Sequence, residues 1–208
     1  VESFADRLFV ATHIARIFSF IIERRRQCCK CQQPAAIRSW FEAEKILRLI
    51  PKSDEKGGPM TISDLYLEAC KAGEEKMDCS DCQIHQASHT CQSRILTVPN
   101  VLVIQIVRGE GRNVPVSVEE QVDLPGLPTM ELVGVLYHNG KTRHEGHYTC
   151  VCRGPGARFW TYNDGHPVRR VCDDIAHIKP SQVYVVVYAT RDGSATWRQE
   201  VVPDAEVL

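Results

Sequence analysis

Two cysteine pairs set the first constraint on this chain: Cys28-x-x-Cys31 and Cys79-x-x-Cys82. Each pair fits a tight turn, and two such turns can aim four thiolates at one Zn2+ in a tetrahedron. A long insertion separates the pairs, so a shared ion would join strand ends that are distant in sequence. Zinc would then staple a part of the fold that has little core of its own. Arg24, Arg25, Arg26 and Lys30 flank the first pair; positive charge there lowers thiol pKa and offsets the negative charge of the site. The ligand set stays open at this level, because Cys29 can replace Cys28 and Cys91 can compete with either residue of the second pair. The alternative is a group of reduced structural cysteines with no metal.

Ten cysteines in 208 residues make the compartment matter. No basic n-region with a small-residue cleavage site is present, so there is no secretory signal to read. Metal ligation or catalysis is then a stronger reading of the cysteines than disulfides, and a cytoplasmic or nuclear setting follows. The apolar run from Ile14 to Ile22 has about half the length that a membrane-spanning helix needs, so no membrane partner is expected. A net charge of -1 and a pI near 6.8 argue against a nucleic-acid binder, which would carry a basic stripe. The first residue is Val rather than Met, and the expectation is a fragment of a longer protein.

Hydrophobic spacing supplies a coarse map. Val1, Phe4, Leu8 and Ala11 recur at helical spacing. "FSFIIERRRQC" turns toward a strand that leads into the first cysteines. "AIRSWFEAEKILRLIP" suits either state and is read as strand for its Trp, Phe and Ile. "TISDLYLEACKAG" has Thr61 and Asp64 at capping-box spacing and reads as a short helix. After Cys82 the period changes to that of strands. "SRILTVPNVLVIQIVRG" gives two strands around a Pro-Asn turn, and "ELVGVLYHNG" a strand ending at an Asn-Gly turn signal. "GHYTCVCRG", "ARFWTYND", "HPVRRV" and "VYVVVYAT" continue a succession that suggests an antiparallel sheet. Residues 191–208 read as a polar, acidic tail.

His147 opens one of these strands beside Gly146, which permits close approach of another backbone. A histidine general base needs a third group to hold its ring. Asn163 and Asp164 lie on the next strand, within reach across a hairpin. Taken alone this is a weak signal, since a histidine on a strand is more often structural or exposed. His138, His144, His166 and His177 have no comparable context and are read as surface residues.

The combination says more than its parts. "MELVGVLYHNG", "HEGHYTCVCR", "FWTYNDG" and "VYVVVYAT" follow in order, and together resemble the C-terminal half of the ubiquitin-specific protease (USP) catalytic domain. "CCKC", "MDCSDC" and "ILTVPNVLVIQIVR" resemble its zinc-bearing fingers and the strand that follows them. The resemblance covers about Phe18 to Thr190. It implies an α+β, papain-like cysteine protease fold with palm and fingers but little thumb. The implied division is 1–26 as lead-in, 27–95 as fingers with an insertion, and 96–190 as palm, with the tail beyond.

On this resemblance His147 matches the catalytic base, Asn163 the third triad member, and Asp164 the adjacent polar position that can share its work. Tyr148 and Gly146 would shape the passage for the substrate tail. Cys28, Cys31, Cys79 and Cys82 match the zinc ligands. The implied partner is ubiquitin, cleaved at its C-terminal glycine. The nucleophilic cysteine and the oxyanion-hole Asn of the family have no match in this chain. Cys150 and Cys152 are an odd number of steps from His147, so a regular strand points them to its other face. Cys70 lies on a helix and Cys172 beyond the strands. The nucleophile is therefore expected upstream, and a ubiquitin-binding pseudo-protease is the alternative.

Overall fold

The computed structural model describes residues 17–31, 37–52, 58–108, 114–142, 145–154, 158–166, 169–170 and 180–191. The helix expected over the first sixteen residues and the tail from 192 onward lie outside them. So do His144, Cys172 and His177.

Two sheets organise the described residues. The smaller has the order β2-β1-β6-β5, built from Phe20–Cys28 (β1), Ile37–Glu44 (β2), Gly73–Met77 (β5) and Ala87–Ile95 (β6), with every pairing antiparallel. The larger has the order β13-β12-β11-β10-β14-β7-β3. Its strands are Leu47–Leu49 (β3), Val101–Ile106 (β7), Met130–Thr142 (β10), Glu145–Arg153 (β11), Phe159–Tyr162 (β12), Arg169–Arg170 (β13) and Val183–Thr190 (β14). The pairing of β3 with β7 is parallel, and the others on this path are antiparallel. Gln121–Val122 (β9) pairs with β10, while Met60–Thr61 (β4) and Val116–Ser117 (β8) form a short parallel pair.

The helix Ile62–Cys70 (α1) begins where the sequence places it. Thr61 Oγ1 accepts from the Asp64 N–H at 3.0 Å, and Asp64 Oδ2 accepts from the Thr61 N–H at 3.1 Å. The box satisfies two donors that a helix start otherwise leaves unpaired. Ile62, Leu65 and Tyr66 of α1 join the main core with Leu102, Ile104, Val135, Val186 and Tyr188.

Local patterns explain the strand faces. In β7 the residues Leu102, Ile104 and Ile106 are buried while the alternate ones are half-buried, so a continuous apolar run still reads as one strand. In β14 the inward residues are Val183, Val186 and Tyr188. Strict alternation fails between the first two because the register with β10 shifts between Leu136 and Tyr137. β2 is exposed along nearly its whole length. It is an edge strand held by its ladder to β1 and by polar pairs such as Arg24 with Glu42.

One expectation needs correction. Asn139-Gly140 does not end its strand. β10 runs on to Thr142, with a register shift between Asn139 and Thr142. An Asn-Gly dipeptide is a strong hairpin signal, but here a bulge carries the strand past it.

Candidate active site and metal centre

The candidate active site sits at the top of β11. Antiparallel pairing sets Asn139 opposite His147 and His138 opposite Tyr148. β12 then returns alongside β11, with Cys150 opposite Tyr162. Its next residue, Asn163, opens a turn closed by a hydrogen bond from the His166 N–H to the Asn163 carbonyl at 2.9 Å. Within that turn Asp164 adopts a φ of 39°, a left-handed conformation that Asp tolerates better than most residues.

This geometry brings all three residues together. His147 Nε2 lies 2.5 Å from Asn163 Oδ1. An amide oxygen can only accept, so Nε2–H donates and Nδ1 carries the lone pair. Asp164 Oδ2 stands 3.6 Å from Nδ1, which is an ion pair only when the ring is protonated. His147 is about half exposed, with 51% of its side-chain surface accessible. Such a ring can accept a proton at Nδ1 from a group brought to it, while Nε2 stays fixed.

The face of β11 away from His147 carries a cluster that sequence reasoning missed. His138 stacks on Tyr148 with centroids 4.6 Å apart, and Tyr184 completes a triangle at 6.0 and 5.8 Å. Gln105 Nε2 donates to the Tyr184 hydroxyl at 3.2 Å; on the His147 side of the hairpin, Gln182 Nε2 donates to Asn139 Oδ1 at 3.1 Å. His138 is therefore half-buried and packed, not a free surface residue. The signal available in the sequence was parity: His138, Gly140, Gly146 and Tyr148 fall on one face once the hairpin register is known. His166 is exposed, as expected.

No described cysteine stands beside His147; its side-chain partners among the described residues are Asn163 and Asp164. The β10–β11 register is unbroken from His147 to Cys152, so Cys150 and Cys152 share the Tyr148 face. Their sulfurs are 4.0 Å apart. Burial first, then neighbouring Cys150, pushes the Cys152 thiol up to about 11, the opposite of nucleophilic activation. Burial also raises the Cys70 thiol at the end of α1.

The candidate metal centre is built at the far end of the smaller sheet. The sulfurs of Cys28, Cys31, Cys79 and Cys82 all lie within 4.8 Å of one another. Cys28 to Cys82 is 3.9 Å and Cys31 to Cys79 is 3.6 Å. Four sulfurs at the usual Zn–S length in a tetrahedron stand about 3.8 Å apart, so the donor set fits that ion. Cys29 turns instead to Thr90 Oγ1 at 3.5 Å, and Cys91 lies opposite Arg26. Neither joins the group, so the sulfurs that cluster are those of Cys28, Cys31, Cys79 and Cys82.

Their surroundings shift Cys79 and Cys31 in opposite directions. The backbone N–H of Cys82, then that of Asp81, pulls the Cys79 thiol down to about 6. Burial, then hydrogen bonding with Cys79, Cys82 and Cys28, pushes Cys31 up. A dication would let all four ionise. The cluster is a satellite core of its own, comprising Cys28, Cys79 and Ala87 with Cys31 and Cys82 packed against them, and is separate from the main one. Gln83, directly after the second pair, takes a φ of 55° to turn the chain back.

A mostly antiparallel sheet carrying a histidine–asparagine pair, with four clustered cysteines on the chain's other sheet, is the pattern that the comparisons meet. The family model described as ubiquitin carboxyl-terminal hydrolase matches residues 9–188. The chain belongs to that family. Among curated proteins none matches the sequence at a significant level. Solved structures agree on the fold. A chain of the SAGA Ubp8/Sgf11/Sus1/Sgf73 DUB module bound to ubiquitin aldehyde superposes with a TM-score of 0.66 at 20% identity. A chain of the yeast SAGA DUB module with a variant Sgf73 gives 0.68 at 21%, and one from the module bound to monoubiquitin gives 0.67 at 21%. Each match covers 85% of this chain, and 42%, 41% and 41% of the respective neighbours. This chain thus spans about two fifths of their length.

Proposed function

We propose that this chain is the fingers-and-palm portion of a cysteine-type deubiquitinase, which hydrolyses the bond at the C-terminal glycine of ubiquitin. The observation that carries the reading is the His147 Nε2 to Asn163 Oδ1 hydrogen bond, which leaves Nδ1 free to act as a base. In the proposed mechanism Nδ1 takes the proton of a thiol supplied from outside this chain. Asn163 fixes the ring plane and tautomer. Asp164 stabilises the imidazolium that forms, since it is 3.6 Å from Nδ1 and attracts only the charged ring. The thiolate attacks the carbonyl carbon of the terminal glycine, the C–N bond breaks as the imidazolium gives its proton to the leaving amine, and a water that the ring deprotonates then hydrolyses the thioester. Gly146 and Tyr148 border the passage for the ubiquitin tail, and the body of ubiquitin rests on the fingers. Cys28, Cys31, Cys79 and Cys82 would hold Zn2+ as a structural ion that staples the end of the smaller sheet, while His147 stands on the larger one.

Membership in the family and neighbours solved with ubiquitin support the substrate class. A cytosolic or nuclear setting is part of the proposal. None of the nine described cysteines is in a disulfide, and no described helix is long and apolar enough to cross a membrane. The second reading is a ubiquitin-binding pseudo-protease. It is favoured by one observation: among the described residues no thiol faces His147.

The deciding experiment treats this chain, and the longest natural product containing it, with ubiquitin bearing a thiol-reactive C-terminal electrophile. An adduct by mass with the longer protein, lost in His147→Ala, is the expected result. An adduct with neither protein overturns catalysis in favour of the scaffold reading.

A further inference from the structure

Asn139 stands directly opposite His147 in the β10–β11 pairing, so the two side chains share one face of the hairpin. Asn163 and Asp164 hold the imidazole from the β12 side. Asn139 takes the other flank, on β10. We propose that the Asn139 amide is a substrate-binding group that donates from Nδ2 to a backbone carbonyl of the ubiquitin tail, and that Gln182 is the positioning residue that turns it that way. The inference deepens the deubiquitinase reading above and rests on it.

The hydrogen bonding of Asn139 sets the sense of its amide. A carboxamide offers one acceptor oxygen and two N–H donors. Gln182 Nε2 donates to Asn139 Oδ1 at 3.1 Å, which engages the oxygen, while Nδ2 has no partner among the described residues. Asn139 is exposed, so these donors are open to a ligand. Gln182 is itself held in place. It ends the short 3-10 helix Pro180–Gln182, and the Arg108 guanidinium ties the backbone on both sides of it. Arg108 donates to the Pro180 carbonyl at 3.0 Å and to the Val183 carbonyl at 3.2 Å. A third donation, to the Val114 carbonyl, anchors the arginine to a separate segment.

The spacing suits an extended chain. Residues directly opposite in an antiparallel pair stand about 5 Å apart, and an extended chain advances about 3.4 Å per residue. A tail that crosses the hairpin with its scissile carbonyl at the His147 ring therefore brings the carbonyl of one of the preceding residues to Asn139. An uncharged amide donor reads main chain rather than side chain, as a tail ending in glycine requires.

The test measures fluorescence anisotropy of fluorescein-labelled ubiquitin, whole or with its C-terminal tail removed, on the longest natural product containing this chain. The parent should bind whole ubiquitin more tightly than the tailless form. Asn139→Ala should weaken whole ubiquitin about two- to tenfold, the range of one neutral hydrogen bond, and leave the tailless form unchanged. Gln182→Glu is the sharper variant, because a carboxylate can only accept. It draws Nδ2 to itself, presents Oδ1 to the tail, and should weaken whole ubiquitin at least as much as Asn139→Ala does. In an Asn139→Ala background it should cost nothing further. The inference is overturned if the parent binds both forms equally, or if Asn139→Ala matches the parent on whole ubiquitin. It is also overturned if Asn139→Ala weakens both forms alike, or if Gln182→Glu has the same effect with and without Asn139. A parent that binds neither form overturns the deubiquitinase reading, and this inference with it.

Discussion

The imidazole of His138 fills the space that any side chain at Gly146 would need: a Cβ built on Gly146 overlaps His138 Nε2 and comes within 2.9 Å of the Asn139 carbonyl oxygen. Gly140 is confined in the same way, with a Cβ 2.9 Å from His138 Cε1. The ring is thus a peg between two glycines, stacked on Tyr148, and the residue after Gly146 is His147. Gly146→Ala should displace the hairpin and lower kcat of the intact enzyme by about a hundredfold, the scale of misplacing a catalytic group by about an ångström. His138→Ala in the same chain should rescue it only in part, because the Asn139 carbonyl still obstructs the new methyl. Full rescue, or no loss in Gly146→Ala, would sink this account of the hairpin.

Much of this was legible in the sequence, and the exceptions have physical causes. The α1 start was readable because a capping box is a local device, closed within four residues. The four cysteines were readable as a group because ligand spacing is local, but choosing Cys28 over Cys29 required the register of β1 against β6. That register is a long-range property and has no local signature. The parity argument for Cys150 and Cys152 held because β11 has no bulge there. The same logic would have failed on β14, where a register shift buries both Val183 and Val186. His138 was misjudged because its partners, Tyr148 and Tyr184, come from two other strands.

Asn163 and Asp164 should separate kinetically. Asn163 touches the neutral ring and sets its tautomer, so Asn163→Ala should cost about a hundred- to ten-thousandfold in kcat with KM little changed. Asp164 acts on the charged ring across 3.6 Å in an exposed position. Asp164→Asn should cost about tenfold or less, and the cost should shrink as salt screens the pair. A larger loss in Asp164→Asn than in Asn163→Ala would reverse the roles.

The cysteine cluster makes a selective prediction. Because it is a satellite core, removing zinc should unfold the tip of the smaller sheet and leave the main core. The purified chain should carry about one zinc per molecule, lost on treatment with a strong chelator or in the Cys79→Ser, Cys82→Ser double variant. Amide exchange should then accelerate around 28–31 and 79–86, while amides of β7, β10 and β14 stay protected. Uniform loss of protection would mean that the cluster and the core fold as one unit.

Glu23 gives the pH dependence its sign. The carboxylate is 5% exposed and sits between Arg25, at 2.8 Å, and Arg94. Burial alone would raise its pKa, but the hydrogen bonds and charges of Arg25 and Arg94 outweigh burial and hold it below 4.5. A carboxylate depressed in the fold contributes stability that is present above its unfolded pKa and is lost as pH falls through the folded value. The contribution of Glu23 should therefore be intact at neutral pH and fade below about pH 4.5. Both arginines are more than half exposed, so Glu23→Gln should cost only about 1–3 kcal/mol at pH 7, less than a fully buried pair. Thermal melts of parent and variant should converge as the pH is lowered through the carboxylate range. A difference that stays constant across that range would mean that Glu23 acts by packing rather than by charge.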